Sequence, residues 1–163
     1  MRNFIRGGIA SGLAGVLLAV APSALAQPVR PATAAGHEAL TARNRAIITQ
    51  FSDIFYRQRD IKRAYMTYVV PDYIQHNPDI PDGRDAAIAS VGPIFSIPGG
   101  HFDVKRIVVD GDIAVVHVLG AADPKRSPLA IFDMYRLKDG KIVEHWDVGR
   151  EVPKTAKNAH PMF

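Results

Sequence analysis

"IFDMYRLKDGKIVEHWDV", residues Ile131 to Val148, decides the fold. Two runs rich in β-branched and aromatic residues flank Asp139-Gly140, a dipeptide that accepts the positive φ angles of a tight hairpin. Just upstream, "HFDVKRIVV" from His101 and "IAVVHVLG" from Ile113 flank a second such pair, Asp110-Gly111. Four runs and two hairpin signals predict an antiparallel meander over the C-terminal half.

Upstream of Pro98-Gly99-Gly100 the apolar period is helical. Leu40, Ile47, Ile48, Phe51, Ile54 and Phe55 recur on one face between Glu38 and Arg59, opposite arginines and Asp53; this predicts an amphipathic helix. A shorter helix is expected over Ile61–Tyr68, stopped by Pro71. "YIQHNP", Tyr73 to Pro78, then leaves in extended form, because a residue before proline avoids the helical region. A third helix restarts within "DIPDGRDAAIASVGPIF", near Asp82 or Gly83. Helices followed by a meander predict an α+β domain, its helices on one face of a curved antiparallel sheet that encloses a conical pocket.

The chain start sets an expected compartment. Arg2 and Arg6 precede an uncharged, mostly apolar run from Gly7 to Ala21, and Ala24-Leu25-Ala26 offers a small-x-small cleavage site before Gln27. Residues 1–26 therefore read as a secretory signal peptide and residues 27–36, rich in Pro, Ala and Thr, as a disordered leader. Residues 37–163 then form a single domain, and the protein is expected to be periplasmic or secreted. With no cysteine in the chain there is neither a disulfide nor a lipoprotein anchor. Losing Arg2 and Arg6 lowers the formal charge from +4 to +2. No clustered basic stripe suits nucleic acid, and no membrane association is expected after cleavage.

Four polar residues stand where apolar ones are expected. His117 interrupts "IAVVHVLG", Asp133 interrupts "LAIFDMYRL", and His145 and Asp147 flank Trp146. Alternation puts His117 on one face with Ile113, Val115 and Leu119, and Asp133 with Ile131, Tyr135 and Leu137. A carboxylate among such neighbours is costly to bury without a partner, and a nearby histidine can hold its proton. That pairing suits general acid–base chemistry. The bland readings are a structural His117, a solvent-facing Asp133 with Phe132 and Met134 turned to the core or a dimer partner, and a His76 that only satisfies backbone near Pro78. The second hairpin leaves its register open: a two-residue loop sets Trp146 opposite Asp133, a three-residue loop sets His145 there. The first is favoured, since Ile142 and Trp146 then share the apolar face with Leu137.

His76, His117, His145 and Asp133 are metal-ligand types, yet none has HExxH-like spacing, so no metal is expected. A G-x-S-x-G elbow and a phosphate-cradling glycine loop are both missing from the sequence.

"YIQHNPDIPDGRDA", "GDIAVVHV" and "AIFDMYRLKDGKIVEHWDV", in that order, resemble the SnoaL-like polyketide cyclases of the nuclear transport factor 2-like superfamily, which includes ketosteroid isomerases. The resemblance runs from about Asn44 to Val148. It implies a cone of three helices against a bent antiparallel sheet. It further implies a strand aspartate, here Asp133, as acid–base catalyst of an aldol condensation, assisted by His117 from the preceding strand, with His76 at the pocket rim. The expected function is cofactor-free acid–base chemistry next to a carbonyl (aldol-type condensation, retro-aldol cleavage or isomerisation) on a small hydrophobic carbonyl compound. Tyr65, Tyr68, Gln75, Asn77, Tyr135 and Trp146 are the expected substrate-binding residues. The alternative is a non-catalytic periplasmic binding module with the same cone. A homodimer through the outer sheet face, around Phe132, Met134 and Arg136, completes the expectation.

Overall fold

The computed structural model describes residues 33–163. The expected signal peptide and most of the expected leader lie outside them. Helix α1 spans Ala34–Ser52, with the Thr33 hydroxyl accepting the Gly36 N–H as N-cap. It starts four residues before Glu38, so residues 34–36 are helical rather than leader. It runs directly into a π-helical turn, Asp53–Arg57, where the Asp53 carboxylate accepts from both Arg57 and Gln58. The wider turn lets two consecutive aromatics, Phe55 and Tyr56, face the interior. Helix α2 spans Ile61–Tyr68, as its periodicity predicts, with Asp60 capping the Arg63 N–H. Helix α3 spans Arg84–Phe95 behind Gly83, whose φ of 96° suits glycine.

The strands are β1 (Val69–Gln75), β2 (His101–Asp110), β3 (Ile113–Ala121), β4 (Leu129–Lys138) and β5 (Lys141–Glu151). They form one sheet in the order β1-β5-β4-β3-β2. The four-strand meander is as predicted. The sheet, however, is mixed: "VVPDYIQ" is a fifth strand, parallel to β5 at the edge. Pro71 has no N–H to give a ladder and is tolerated there because the edge register is irregular between Val69 and Ile74. Helix α2 therefore ends at Tyr68, before the proline is reached.

Both Asp-Gly signals make tight turns. Lys138 pairs with Lys141 around Asp139 and Gly140, with φ of 50° and 81°, the two positive angles of a type I′ turn. The helices cover one face of the sheet, where Ile48, Phe51, Phe55, Tyr65, Val116 and Ile142 pack. Phe51 touches Phe55, Tyr65, Tyr68 and Tyr135 through aromatic contacts. Replacing it with alanine would cost about 3–5 kcal/mol. Asn44 and Thr41 of α1 fasten the β2–β3 turn by bonding the carbonyl and N–H of Gly111. The sheet's inner face is thereby held against α1.

One detail of β5 controls the rest. Leu137 pairs with Ile142, but Arg136 pairs with Glu144, so Val143 is an extra residue in β5. The two-residue loop is the favoured one, yet the bulge moves every later pair by one. Asp133 faces Asp147 across the strands, and Tyr135 faces His145. Trp146 pairs with Met134 instead, on the opposite sheet face from Asp133.

Candidate active site

The inner sheet face, the π turn, α2 and α3 enclose a cavity of about 450 Å³. Phe55, Val91, Phe95, Phe102 and Ile131 make most of one side apolar. Tyr56, Asp133, Tyr135, His145 and Asp147 also line it, as do the charged side chains of Asp123, Arg126 and Glu151. Arg59, in a left-handed conformation at φ 60°, donates to the carbonyls of Phe95, Ile97 and Gly100 and so fixes the segment after α3 that borders the cavity. Gly120 lines the wall without a side chain; a Cβ there would meet Ile131 Cδ1 at 2.8 Å.

Asp133 is 8% exposed and His145 6%. The Asp133 Oδ1 lies 3.0 Å from His145 Nε2, and its Oδ2 accepts the Tyr56 hydroxyl at 2.9 Å. Tyr56 and Tyr135 hydroxyls lie 2.7 Å apart; with the Tyr56 proton on Asp133, Tyr135 is the donor to Tyr56. His145 Nδ1 lies 2.9 Å from Gln75 Oε1. That oxygen also accepts the Asn77 N–H, so it is the carbonyl oxygen and Nδ1 is the donor. The histidine's other nitrogen then faces a carboxylate oxygen, and one proton must lie between Nε2 and Oδ1. The result is a proton-sharing dyad inside an apolar cavity.

Burial raises the pKa values of Tyr56 and Tyr135 well above the ordinary phenol, with the Asp133 charge adding to both. Burial also raises Tyr65 and Tyr73. All four remain neutral hydroxyls at physiological pH.

Asp147 is half-buried beside the dyad, its oxygens 2.9 and 2.8 Å from Asn77 Nδ2. Asn77 Oδ1 accepts the Asp79 N–H, which fixes the amide so that Nδ2 faces Asp147. Asp133, His145 and Asp147 bring ligand-type atoms within 4.8 Å of one another. A metal bound there would have to displace the Asp133–His145 hydrogen bond.

Residues 48–145, more than half of the chain, match the family model described as a SnoaL-like domain. The chain belongs to that family. No curated protein matches significantly. A nuclear transport factor 2-like protein of unknown function from Mesorhizobium loti aligns at TM-score 0.59 and 22% identity, over 68% of this chain and 93% of that one. TsrD from Streptomyces laurentii aligns at 0.55 and 22%, over 66% and 88%. A provisionally named ketosteroid isomerase from Kribbella flavida aligns at 0.56 and 20%, over 72% and 85%. These likenesses establish the nuclear transport factor 2-like fold.

Within this SnoaL-like domain, the cavity takes in five of the expected residues: Asp133, Tyr65, Gln75, Asn77 and Tyr135. Four others lie elsewhere. His117 pairs with Phe132 and therefore points to the outer face, where it stacks on Phe132 at 4.1 Å and Arg106 lies 3.3 Å from its Nδ1. Val116, its neighbour, is the residue opposite Asp133. His76 also lies outside, stacked on Trp146 at 4.6 Å and bonded to Glu144 at 2.8 Å. Trp146 was displaced by the Val143 bulge and forms no cavity wall. Tyr68 donates to Gln50 on the helical layer.

The partner expected from His117 is supplied by His145. Tyr56 carried a signal that the helical pattern missed: it lies eight residues after Ile48, on the same stripe. Arg59 carried none, since its role depends on carbonyls more than thirty residues away.

Proposed function

We propose that this SnoaL-like domain is an enzyme that moves a proton at the carbon next to a carbonyl, without a cofactor, on a small hydrophobic carbonyl compound. The buried Asp133–His145 dyad in the wall of a largely apolar cavity is the observation that carries the reading. Asp133 takes the proton from carbon, and His145, held through Nδ1 by Gln75, shares the dyad's own proton and balances the charge. Tyr56 and Tyr135 stay protonated, and the relay from Tyr135 to Tyr56 to the Asp133 carboxylate steadies the charge on the base. The apolar walls favour a ligand with a flat hydrocarbon body and a single polar end. The class covers aldol-type condensation, its reverse, and isomerisation.

The test is exchange of the α-protons of benzylacetone into deuterated buffer, followed by proton NMR. The wild-type protein is expected to accelerate exchange, and Asp133→Asn to lower that rate about 10²–10⁴-fold with the melting temperature retained. Saturable binding of benzylacetone with no exchange above buffer would select the non-catalytic binding module instead.

From the sequence of residues 1–26 we further propose that the enzyme works outside the cytoplasm, after cleavage behind Ala26; intact-mass analysis of exported protein beginning at Gln27 would support it, and retention of residues 1–26 would end it. Two copies also pair across the outer sheet face, where Phe132 and Val148 are opposite each other and 47% and 70% exposed. Light scattering that gives a monomer mass at tens of micromolar would remove the dimer.

A further inference from the structure

The Asp133–His145 pair has a third neighbour that the proton chemistry leaves unused. Asp147 stands opposite Asp133 across the β4–β5 ladder, and His145, two residues before it on β5, shares its sheet face. One ligand-type atom from each of the three lies within 4.8 Å of the other two, in the wall of the cavity. Each side chain is also held from outside the cluster. The Gln75 carbonyl oxygen takes the Nδ1–H of His145 and leaves Nε2 facing inwards. The Tyr56 hydroxyl donates to Asp133 Oδ2 and leaves Oδ1 facing Nε2. The Asn77 amide holds both oxygens of Asp147, and its own Oδ1 is fixed by the Asp79 N–H. Imidazole and carboxylates oriented by such outer partners are what metal ions ordinarily bind.

Charge favours a cation at this point. Two carboxylates against the one extra proton shared by the dyad leave one net negative charge. Among the described residues no lysine or arginine forms an ion pair with either aspartate. A divalent cation in place of that proton brings the cluster to neutrality. Spacing agrees. Ligand atoms around four-coordinate zinc stand about 3.3 Å apart. Asp133 Oδ1 and His145 Nε2 are 3.0 Å apart. Asp147 closes its gap by turning inwards by at most about 1.5 Å, and one of its two oxygens can stay on Asn77. The cavity leaves further coordination positions open to water or a ligand. One imidazole nitrogen with two carboxylates suits a first-row transition cation, whereas magnesium and calcium favour all-oxygen sets.

We infer that Asp133, His145 and Asp147 form a binding site for a divalent transition cation of the zinc class, and that this cation and the dyad's shared proton exclude each other. On binding, the proton leaves to solvent, Nε2 and Oδ1 direct their electron pairs to the metal, and Asp133 ceases to be a free base. The loss of activity rests on the reading of Asp133 given above; the binding itself does not. No tight spacing in the sequence marks the site. Its ligands come from two strands and meet only because the Val143 bulge turns His145 and Asp147 to the inner face.

The experiment titrates chelator-treated protein with zinc by calorimetry. Cobalt(II) absorption and α-proton exchange of benzylacetone are followed on the same protein. The wild type is expected to bind one equivalent of zinc and to give the visible bands of a four- or five-coordinate cobalt(II). Exchange should stop as that equivalent fills and return on adding EDTA, while magnesium leaves it unchanged. Asn77→Ala keeps all three ligands and frees the direction of one, so zinc affinity should fall about 10–100-fold. Asp147→Asn and His145→Ala each remove a ligand and should weaken binding further. Melting temperatures of the metal-free variants check that they fold; if His145→Ala does not, Asp147→Asn and Asn77→Ala decide.

Absence of one-to-one binding overturns the inference. So does zinc held as tightly by a folded Asp147→Asn variant as by the wild type, which would assign the metal to surface histidines. Undiminished exchange in the zinc-saturated protein also overturns it, since metal and free base would then coexist. A metal-free wild type without any exchange removes the reading of Asp133 as a base, and the calorimetric and cobalt results then decide the binding site by themselves.

Discussion

Two histidines of this domain are almost equally buried, His145 at 6% and His117 at 5% exposure, yet they have opposite surroundings. His145 lies on β5, faces the cavity, and satisfies both ring nitrogens with Gln75 and Asp133. His117 lies on β3, faces the outer side, and stacks on Phe132, with no hydrogen-bond partner for its buried Nε2 among the described residues. Burial, then Arg106, depresses the pKa of His117 below the ordinary imidazole value. Burial alone does not make a histidine part of a site. Strand parity and the chemistry of the neighbours do, and here a single residue of register separates the two outcomes.

The strongest way to break this comparison is to remove each ring in turn. His145→Ala is expected to reduce turnover about 10²–10⁴-fold, and the double variant with Asp133→Asn to lose less than the product of the two losses. His117→Ala should keep kcat within about threefold. Stopped-flow or NMR rates on the same substrate compare them directly, and equal losses at the two positions would show that the sheet face does not decide function.

A smaller effect grades the inner cluster itself. Tyr56→Phe removes the hydroxyl donated to the Asp133 carboxylate, a bond of about 1.5–3 kcal/mol, or roughly tenfold to a hundredfold in rate if it is retained in the transition state. Tyr135→Phe removes only a phenol–phenol bond and should cost less. Reversed sizes would place the critical donor on Tyr135.

Acid sensitivity sharpens the outer half of the comparison. A histidine whose folded pKa is depressed takes up its proton first in the unfolded chain. Stability therefore falls as the pH drops below about 6.5, by at most about 1.4 kcal/mol per pH unit for this one group. His117→Gln should flatten that limb in urea melts between neutral pH and pH 5, while His145→Gln should leave the His117 contribution in place.

The smallest effect belongs to His76 at the edge of the outer face. Its bond to Glu144, together with Arg136, holds the Glu144 carboxyl below its usual pKa, but the pair is partly open to water. His76→Ala should therefore cost under about 1 kcal/mol in chemical denaturation and leave turnover unchanged. A large rate loss would return His76 to the site.

Much of the fold was legible locally. The 3.6-residue spacing of apolar positions located α2 within its true bounds, and each Asp-Gly pair marked a hairpin, through positive φ at Asp139 and Gly140 in one and at Gly111 in the other. The edge strand β1 was not legible, because Pro71 reads as a stop and its tolerance depends on lying at the margin of a sheet. Asp133 was legible as a carboxylate out of place among β-strand hydrophobics. Its partners were not: Tyr56 reaches it from a π turn, and His145 from a strand whose register changes after the hairpin.

Sequence alone determined the order of elements, the two tight turns, the α+β class, and the presence of an aspartate that needed a partner. Those features rest on short-range angles and on the periods of helix and strand, which neighbouring residues express by themselves. Only the tertiary structure decided that Asp147, rather than Trp146, stands opposite Asp133, and that His145, rather than His117, completes the dyad. For β5 the reason is the extra residue at Val143, and for His117 it is the β3–β4 register that sets Val116 opposite Asp133. Side chains alternate with a period of two, so one inserted residue exchanges the inner and outer faces of everything beyond it. The packing that favours one register over the other comes from helices far away in the chain.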